Sequence, residues 1–366
     1  MTLLDSFAVR AVLVVGAGAL SAAVCSAGLG AVGGPPPPVT PTPTPYPSPR
    51  VMSPAERDAI SYLRRAVTAE RTATYSGTKW LSSQASDGAV TVLEVRHDPV
   101  RGTWLEPRAP AHRSGHTVPE AEGADLDGEA LTALGHHYTV AVRGADHSAG
   151  RPATVVEARG LGEDRVAGRF WLDEDTGLLL RRELYDPDGE IVRATAFVHL
   201  DVGPAAARVP GDRPVTDGSA ARPLDEAAVA ALRRDGWQLP DLLPGGMERY
   251  RAMEMTVDGH RVVQMAYSDG IFAASLFVER GRLDAASLRG FRTERIAGTS
   301  VYARNGLHRT LVWGGDGAVY TLLLDAPESL APQLVAALPH TPDEDGVVSR
   351  LGRGIARVGS WANPFD

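Results

Sequence analysis

Apolar residues follow three patterns along this chain: one unbroken run, one helical period and many short alternating segments. From Ala11 to Gly34 no residue is charged, long enough to cross a bilayer, with Arg10 at its start. Residues 1–34 therefore read as a signal peptide or a membrane anchor, and Cys25-Ser26-Ala27 offers small residues for cleavage. The helical period opens at Ser53-Pro54-Ala55-Glu56, a capping box with proline at the first helical position, followed by Ile60, Leu63 and Val67. Beyond it the period shortens to two. Tyr75 to Leu81 and Val90 to Arg96 flank Ser86-Asp87-Gly88 as a hairpin, and residues 108–127 read as a long polar loop. Strands resume at Tyr138 to Val142, Ala153 to Ala158, Gly168 to Leu172, Leu178 to Tyr185 and Ile191 to Leu200.

Tight turns at Asp175-Thr176-Gly177 and Asp186-Pro187-Asp188-Gly189 cannot make the crossovers of a parallel sheet. The pattern predicts an α+β fold, a half-open antiparallel β-barrel covered by a helix, over residues 53–203. Residues 204–223 lack a sustained apolar period and read as a linker. A second, smaller antiparallel-sheet-plus-helix domain is expected over 224–340. Its elements are a helix at Ala227 to Leu232, strands Arg261 to Tyr267 and Ile271 to Glu279, turns at Asn305-Gly306 and Gly314 to Gly317, and a closing helix at Pro327 to Leu338. Residues 341–366 predict an amphipathic tail in which Val347, Leu351, Ile355 and Val358 oppose Arg350, Arg353 and Arg357.

Composition narrows the function classes. The formal net charge is -8, and Lys79 is the only lysine, so no basic surface is expected to track a phosphate backbone and nucleic acid is set aside as a partner. Cys25 is the only cysteine, which rules out an intramolecular disulfide. Alternating prolines through residues 35–52 fix an extended polyproline stalk between the apolar segment and the body.

Candidate chemistry is sparse. No Gly-x-Ser-x-Gly elbow, His-Glu-x-x-His or phosphate loop is present, and no cofactor is expected. His260, Ser268 and Asp269 are a remote hydrolase alternative, outweighed by the need for Ser-Asp-Gly geometry in a turn. His136-His137 lacks further ligands at metal spacing and reads as a surface or strand-edge pair, so no metal site is expected.

The order of several pieces resembles the RseB/MucB family of sigma-factor regulatory proteins. They run from Tyr75-Ser76-Gly77 through Val95-Arg96-His97, Gly150 to Ala153 and Phe170 to Asp173 to Thr176-Gly177-Leu178. They continue with Leu243 to Met247 and Tyr267 to Phe272. The resemblance implies a LolA-like first domain and an RseB-type second domain. It implies a non-enzymatic protein of the cell envelope, anchored or exported, that binds the extracytoplasmic segment of an anti-sigma factor and restrains its proteolysis. An envelope-stress sigma factor would thereby be modulated, and a lipid or lipoprotein ligand could relieve the restraint. The implied partner-binding residues are Tyr267, Ser268, Asp269 and Gly270. Tyr75, Trp80, Phe170, Trp171, Leu178 and Leu180 are the candidates for a lipid cavity. A LolA-type carrier of envelope lipid or lipoprotein is the alternative.

Overall fold

The computed structural model describes residues 51–86, 90–108, 116–118, 130–204, 221–257, 259–306 and 308–340. The apolar amino-terminal segment, nearly all of the proline stalk, residues 205–220 of the expected linker and the tail lie outside the described residues. Among the described residues no helix is long and apolar enough to cross a membrane.

Helix α1 (Pro54–Thr72) begins at the capping box: Ser53 Oγ accepts from the Glu56 N–H at 3.2 Å, and Glu56 Oε2 accepts from the Ser53 N–H at 2.8 Å. Its buried stripe includes Ala59, Ile60, Leu63, Ala66 and Val67. The chain continues through β1 (Tyr75–Ser83), β2 (Val90–Asp98), β3 (Gly102–Pro107), β4 (His116–Val118), α2 (Ala130–His137), β5 (Tyr138–Ser148), β6 (Arg151–Gly160), β7 (Val166–Asp173), β8 (Leu179–Tyr185) and β9 (Ile191–Val202). These strands form one antiparallel sheet in the order β4-β3-β2-β1-β9-β8-β7-β6-β5. Its two edges, β4 and β5, do not meet, so the sheet stays open, and α1 packs across β5, β6 and β7. Helix α2 is an addition to the sequence-based reading, which starts strand structure at Tyr138 with no helix before it.

The second sheet also has nine strands. It is built from β10 (Arg222–Pro223), α3 (Glu226–Arg234), β11 (Leu242–Leu243), β12 (Met247–Val257), β13 (His260–Ser268), β14 (Ala273–Arg280), β15 (Arg292–Ile296), β16 (Thr299–Arg304), β17 (Arg309–Gly315), β18 (Ala318–Asp325) and α4 (Ala331–Ala337). The strand order is β10-β12-β13-β14-β18-β17-β16-β15, with β11 beside β12. Arg222 and Pro223, assigned to the linker from sequence, are instead an edge strand paired to Met253 and Glu254. Strands β14 and β18 are buried along nearly their whole length, which explains their continuous apolar runs. The β17–β18 turn has positive φ at both Asp316 (48°) and Gly317 (73°), the type I′ geometry its sequence predicts.

The two sheets share much of their core. One apolar cluster runs from Ile60, Leu63, Leu134, Phe170 and Leu172 on the first sheet's side to Tyr267, Ile271, Trp313, Leu322 and Leu334 on the second's. This shared core places the β13–β14 turn deep between the sheets.

Candidate functional site at the junction of the two sheets

The β13–β14 turn closes on itself before it meets anything else. The Ser268 hydroxyl donates to the Phe272 carbonyl at 2.8 Å and accepts from the Gly270 N–H at 2.9 Å. Asp269 Oδ1 accepts from the Ile271 and Phe272 N–H groups at 2.8 and 2.7 Å. This is the Asx-type turn its Ser-Asp-Gly sequence favours. Gly270 sits at φ +101°, and a Cβ added there would lie 2.2 Å from the Leu134 nitrogen and 2.3 Å from its Cα. The turn therefore abuts the backbone of α2, and only glycine allows that approach.

Polar contacts then tie the sheets together. The Tyr138 hydroxyl, at the start of β5, donates to Asp269 Oδ2 at 2.6 Å. Arg182 on β8 donates to the Ile271 carbonyl at 3.0 Å, and Arg193 on β9 donates to Asp325 Oδ1 at 2.8 Å. His308 Nδ1 lies 2.7 Å from the other oxygen of Asp325. At the end of α2, His136 Nδ1 and His137 Nε2 stand 3.7 and 3.5 Å from Glu248 Oε1 across the junction. The histidine pair is thus a helix end facing a carboxylate, neither a free surface pair nor a strand edge. Among the described residues no cluster of three or more His, Cys, Asp or Glu is arranged to hold a metal ion.

Burial sets the electrostatics here. It pushes the Asp269 carboxyl above the usual range, against the hydrogen bonds from Tyr138, Ile271 and Phe272 that favour its charged form. Burial, and then the adjoining Asp269, push the Tyr138 phenol well above its ordinary value. Tyr267, fully buried, donates its hydroxyl to the Pro240 carbonyl at 2.8 Å. All four expected partner-binding residues, Tyr267, Ser268, Asp269 and Gly270, are therefore inside the junction, and none presents a surface to a partner in this conformation.

The expected lipid-cavity residues do not line one cavity. Adjacent strand residues face opposite sides of a sheet, so Phe170 and Trp171 part company. Phe170 is fully buried in the cluster that α1 covers. Trp171 instead lies under the Arg181 guanidinium, 4.6 Å from its ring centre, and donates Nε1–H to Asp146 at 2.8 Å. Trp80, half-buried, stands opposite Ala196, which stands opposite Arg181, so it shares the face of Trp171. Tyr75 stacks on His97 at 5.1 Å, and Trp171, Leu178 and Leu180 are packed with it in a second cluster. Near Trp171 a cleft of about 470 Å3 is lined by charge: Glu157 accepts from the Nε–H groups of Arg143, Arg159 and Arg169 at 2.8, 2.9 and 2.8 Å. Burial alone would raise the Glu157 pKa, but the three arginines outweigh it and hold the carboxylate below its usual range.

His260, Ser268 and Asp269 do not form a hydrolase triad. Ser268 and His260 occupy opposite ends of β13, about 26 Å apart at the usual rise per strand residue. His260 instead faces Glu279 at 3.5 Å.

Comparison with known proteins bears on the first sheet. Residues 102–220, from β3 through the end of the first sheet, match the MucB/RseB N-terminal domain. The chain is similar to this family over about a third of its length. A Pseudomonas aeruginosa protein named sigma factor AlgU regulatory protein MucB is 26% identical over 147 residues, 40% of this chain and 45% of that protein. The match thus spans less than half the length of that relative. Among solved structures, the Pseudomonas aeruginosa MucA/MucB complex is 21% identical, covering 78% of this chain and 99% of that chain with a TM-score of 0.48. A LolA superfamily protein from Nitrosomonas europaea is 10% identical, covering 40% and 91%, with a TM-score of 0.19. The matched residues cover β3 to β9 of the first sheet and leave α1, β1 and β2 outside. The junction residues are contributed by both sheets, and all of those on the second lie beyond the matched domain.

Proposed function

We propose that this chain is an extracytoplasmic regulator that binds an anti-sigma factor, restrains its proteolysis and so modulates an envelope-stress sigma factor. The observation that carries this reading is the MucB/RseB N-terminal domain over residues 102–220, in a family whose Pseudomonas relative is named for sigma-factor regulation. The charge-free segment from Ala11 to Gly34 and the proline stalk support placement of the body outside the cytoplasmic membrane, anchored or exported.

In this reading the Ser268-Asp269-Gly270 turn acts on partner binding through the junction, by fixing how the two sheets sit against each other. Response to a lipid would require α1 to move, because Phe170, Leu178 and Leu180 are packed beneath or beside it. Affinity capture of the full chain from membranes should recover a single-span anti-sigma factor. Deletion of the gene should raise transcription from one sigma factor's promoters under envelope stress. Unchanged transcription in both resting and stressed cells, with no such partner captured, would overturn the proposal.

A further inference from the structure

Each sheet has two edge strands, and three of the four are too short or too irregular to take up another strand readily. Strands β4 and β10 span only three and two residues. Strand β5 is long, but its pairing with β6 shifts register between Val142 and Gly144, the mark of a bulge, and the His147 N–H is held by Asp146 Oδ1 at 2.8 Å. Strand β15 carries neither device. It pairs with β16 in unbroken register from Arg292 opposite Ala303 to Ile296 opposite Thr299, and its other side has no neighbouring strand.

The hairpin geometry fixes which backbone groups of β15 are left over. Its turn is two residues, Ala297 and Gly298, both at positive φ, so Ile296 and Thr299 form the hydrogen-bonded closing pair. Glu294 and Arg292 bond β16 in alternation after it, and Thr293 and Arg295 turn their N–H and C=O away from the sheet. Thr293 is exposed, and no other element among the described residues meets its backbone groups. Charge marks the same edge. Residues 280–309 hold seven arginines against two carboxylates, in a chain whose net charge is -8. Both carboxylates are engaged: Asp284 accepts from the Ala286 N–H at 3.1 Å, and Glu294 accepts from Arg309 at 2.6 Å. Arg289 and Arg292 are exposed and have no hydrogen-bond or ion-pair partner among the described residues.

We propose that the β15 edge takes up an extended, acidic segment of a partner protein as an added strand. Backbone bonds to Thr293 and Arg295 supply the pairing, and carboxylates of the incoming strand that meet Arg289 and Arg292 supply the selectivity. The two features together single out this occupant. An anionic bilayer answers the arginines but not the aligned N–H and C=O groups, whereas a second copy of this chain answers the backbone but brings the same positive edge with it. The inference rests on the edge itself and not on the partner's identity, so it stands or falls apart from the anti-sigma reading.

The test uses the full chain in detergent and a fluorescein-labelled peptide of about eight alternating glutamates and valines, valine being chosen for its strand preference. Fluorescence anisotropy at about 0.1 M salt should show saturable binding, and a lysine–valine peptide of the same length should not bind. Methylating the amide nitrogens of the glutamate peptide keeps its charge and removes its donors, and should weaken binding about tenfold or more. Thr293→Pro should do the same and leave the β15–β16 ladder intact, because that N–H faces away from β16; thermal unfolding checks its fold. Arg289→Gln and Arg292→Gln should each weaken binding about threefold. A methylated peptide that binds as tightly as the unmodified one would overturn the proposal, with the parent protein alone and whatever the fold of the proline variant. So would a glutamate peptide that fails to bind while phosphatidylglycerol vesicles do, or a dimer of the unliganded chain that Thr293→Pro abolishes, since these assign the edge to lipid or to a second copy.

Discussion

Two turns of similar sequence push their aspartates in opposite directions. Asp173-Glu174-Asp175-Thr176-Gly177 joins β7 to β8, and Ser268-Asp269-Gly270 joins β13 to β14; in each an aspartate caps the turn's N–H groups and a glycine takes positive φ. Asp173 is met by Arg151 through two bonds of 2.8 and 2.9 Å and by the Thr176 hydroxyl at 2.5 Å. Burial would raise its pKa, but these partners outweigh it and hold the carboxyl below the usual range. Asp269 receives a phenol and two N–H groups, and burial wins. Turn chemistry thus dictates backbone shape in both places, whereas the charge of the aspartate is decided by what the rest of the fold brings to it.

Steric substitution separates the two turns most sharply. Gly270→Ala forces a methyl group against the α2 backbone at 2.2 Å, where no flexible side chain can yield, so the sheets must part. A loss of about 3 kcal/mol or more is expected in urea unfolding. Gly281→Ala is the control. It has φ +144° with nothing within 4 Å of the added Cβ, so only backbone strain of about 1–2 kcal/mol is expected. If the two variants lose the same stability, the close approach of the turn to α2 has no energetic weight.

Charge substitution comes next. Asp173→Asn leaves Arg151 facing a neutral amide and should cost about 3 kcal/mol at pH 7. Asp269→Asn should stay within about 1 kcal/mol of the parent, since burial at that site favours a neutral side chain. The pH dependence has opposite signs. The lowered pKa of Asp173 contributes stability that is present above its unfolded value, about 4, and lost as pH falls through the folded value. The raised pKa of Asp269 contributes stability that is complete below about 4 and lost as pH rises through the folded value. Unfolding free energies measured across pH should therefore show Asp269→Asn gaining on the parent as pH rises, and the penalty of Asp173→Asn shrinking in acid. Parallel profiles for the two variants would contradict this assignment.

This contrast also separates what local sequence reveals from what it does not. The capping box at Ser53, the Asp-Gly turns and the alternating strands were legible because each depends on residues within a few positions of one another. Helix α2 was not, since Ala130 to His137 spans little more than two turns, too short for a helical period to stand out. The burial of Asp269 was invisible for a different reason: its Tyr138 partner is 131 residues away, and Arg193 meets Asp325 across 132. A polar turn reads as exposed until the surface that covers it is known. The same limit led Phe170 and Trp171 to be grouped together, although strand alternation alone separates them. The junction, as a site, emerged only with the tertiary fold.

The smallest expected effect isolates the backbone part of the comparison, free of burial and charge. The turn between β15 and β16 has positive φ at Ala297 (51°) and Gly298 (78°), the same type I′ geometry as Asp316-Gly317. Alanine is poorly suited to this position because its Cβ crowds the following carbonyl, whereas asparagine tolerates the left-handed region through local hydrogen bonds of its side chain. Ala297 is exposed, so a larger side chain meets no packing penalty. Ala297→Asn should therefore stabilise the protein by about 0.5–1 kcal/mol, read as a higher urea midpoint with an unchanged m-value. Because neither burial nor a charged partner is involved, the gain should not vary with pH. A gain confined to one end of the pH range would mean that charge contributes even at a turn where backbone geometry alone is expected to decide.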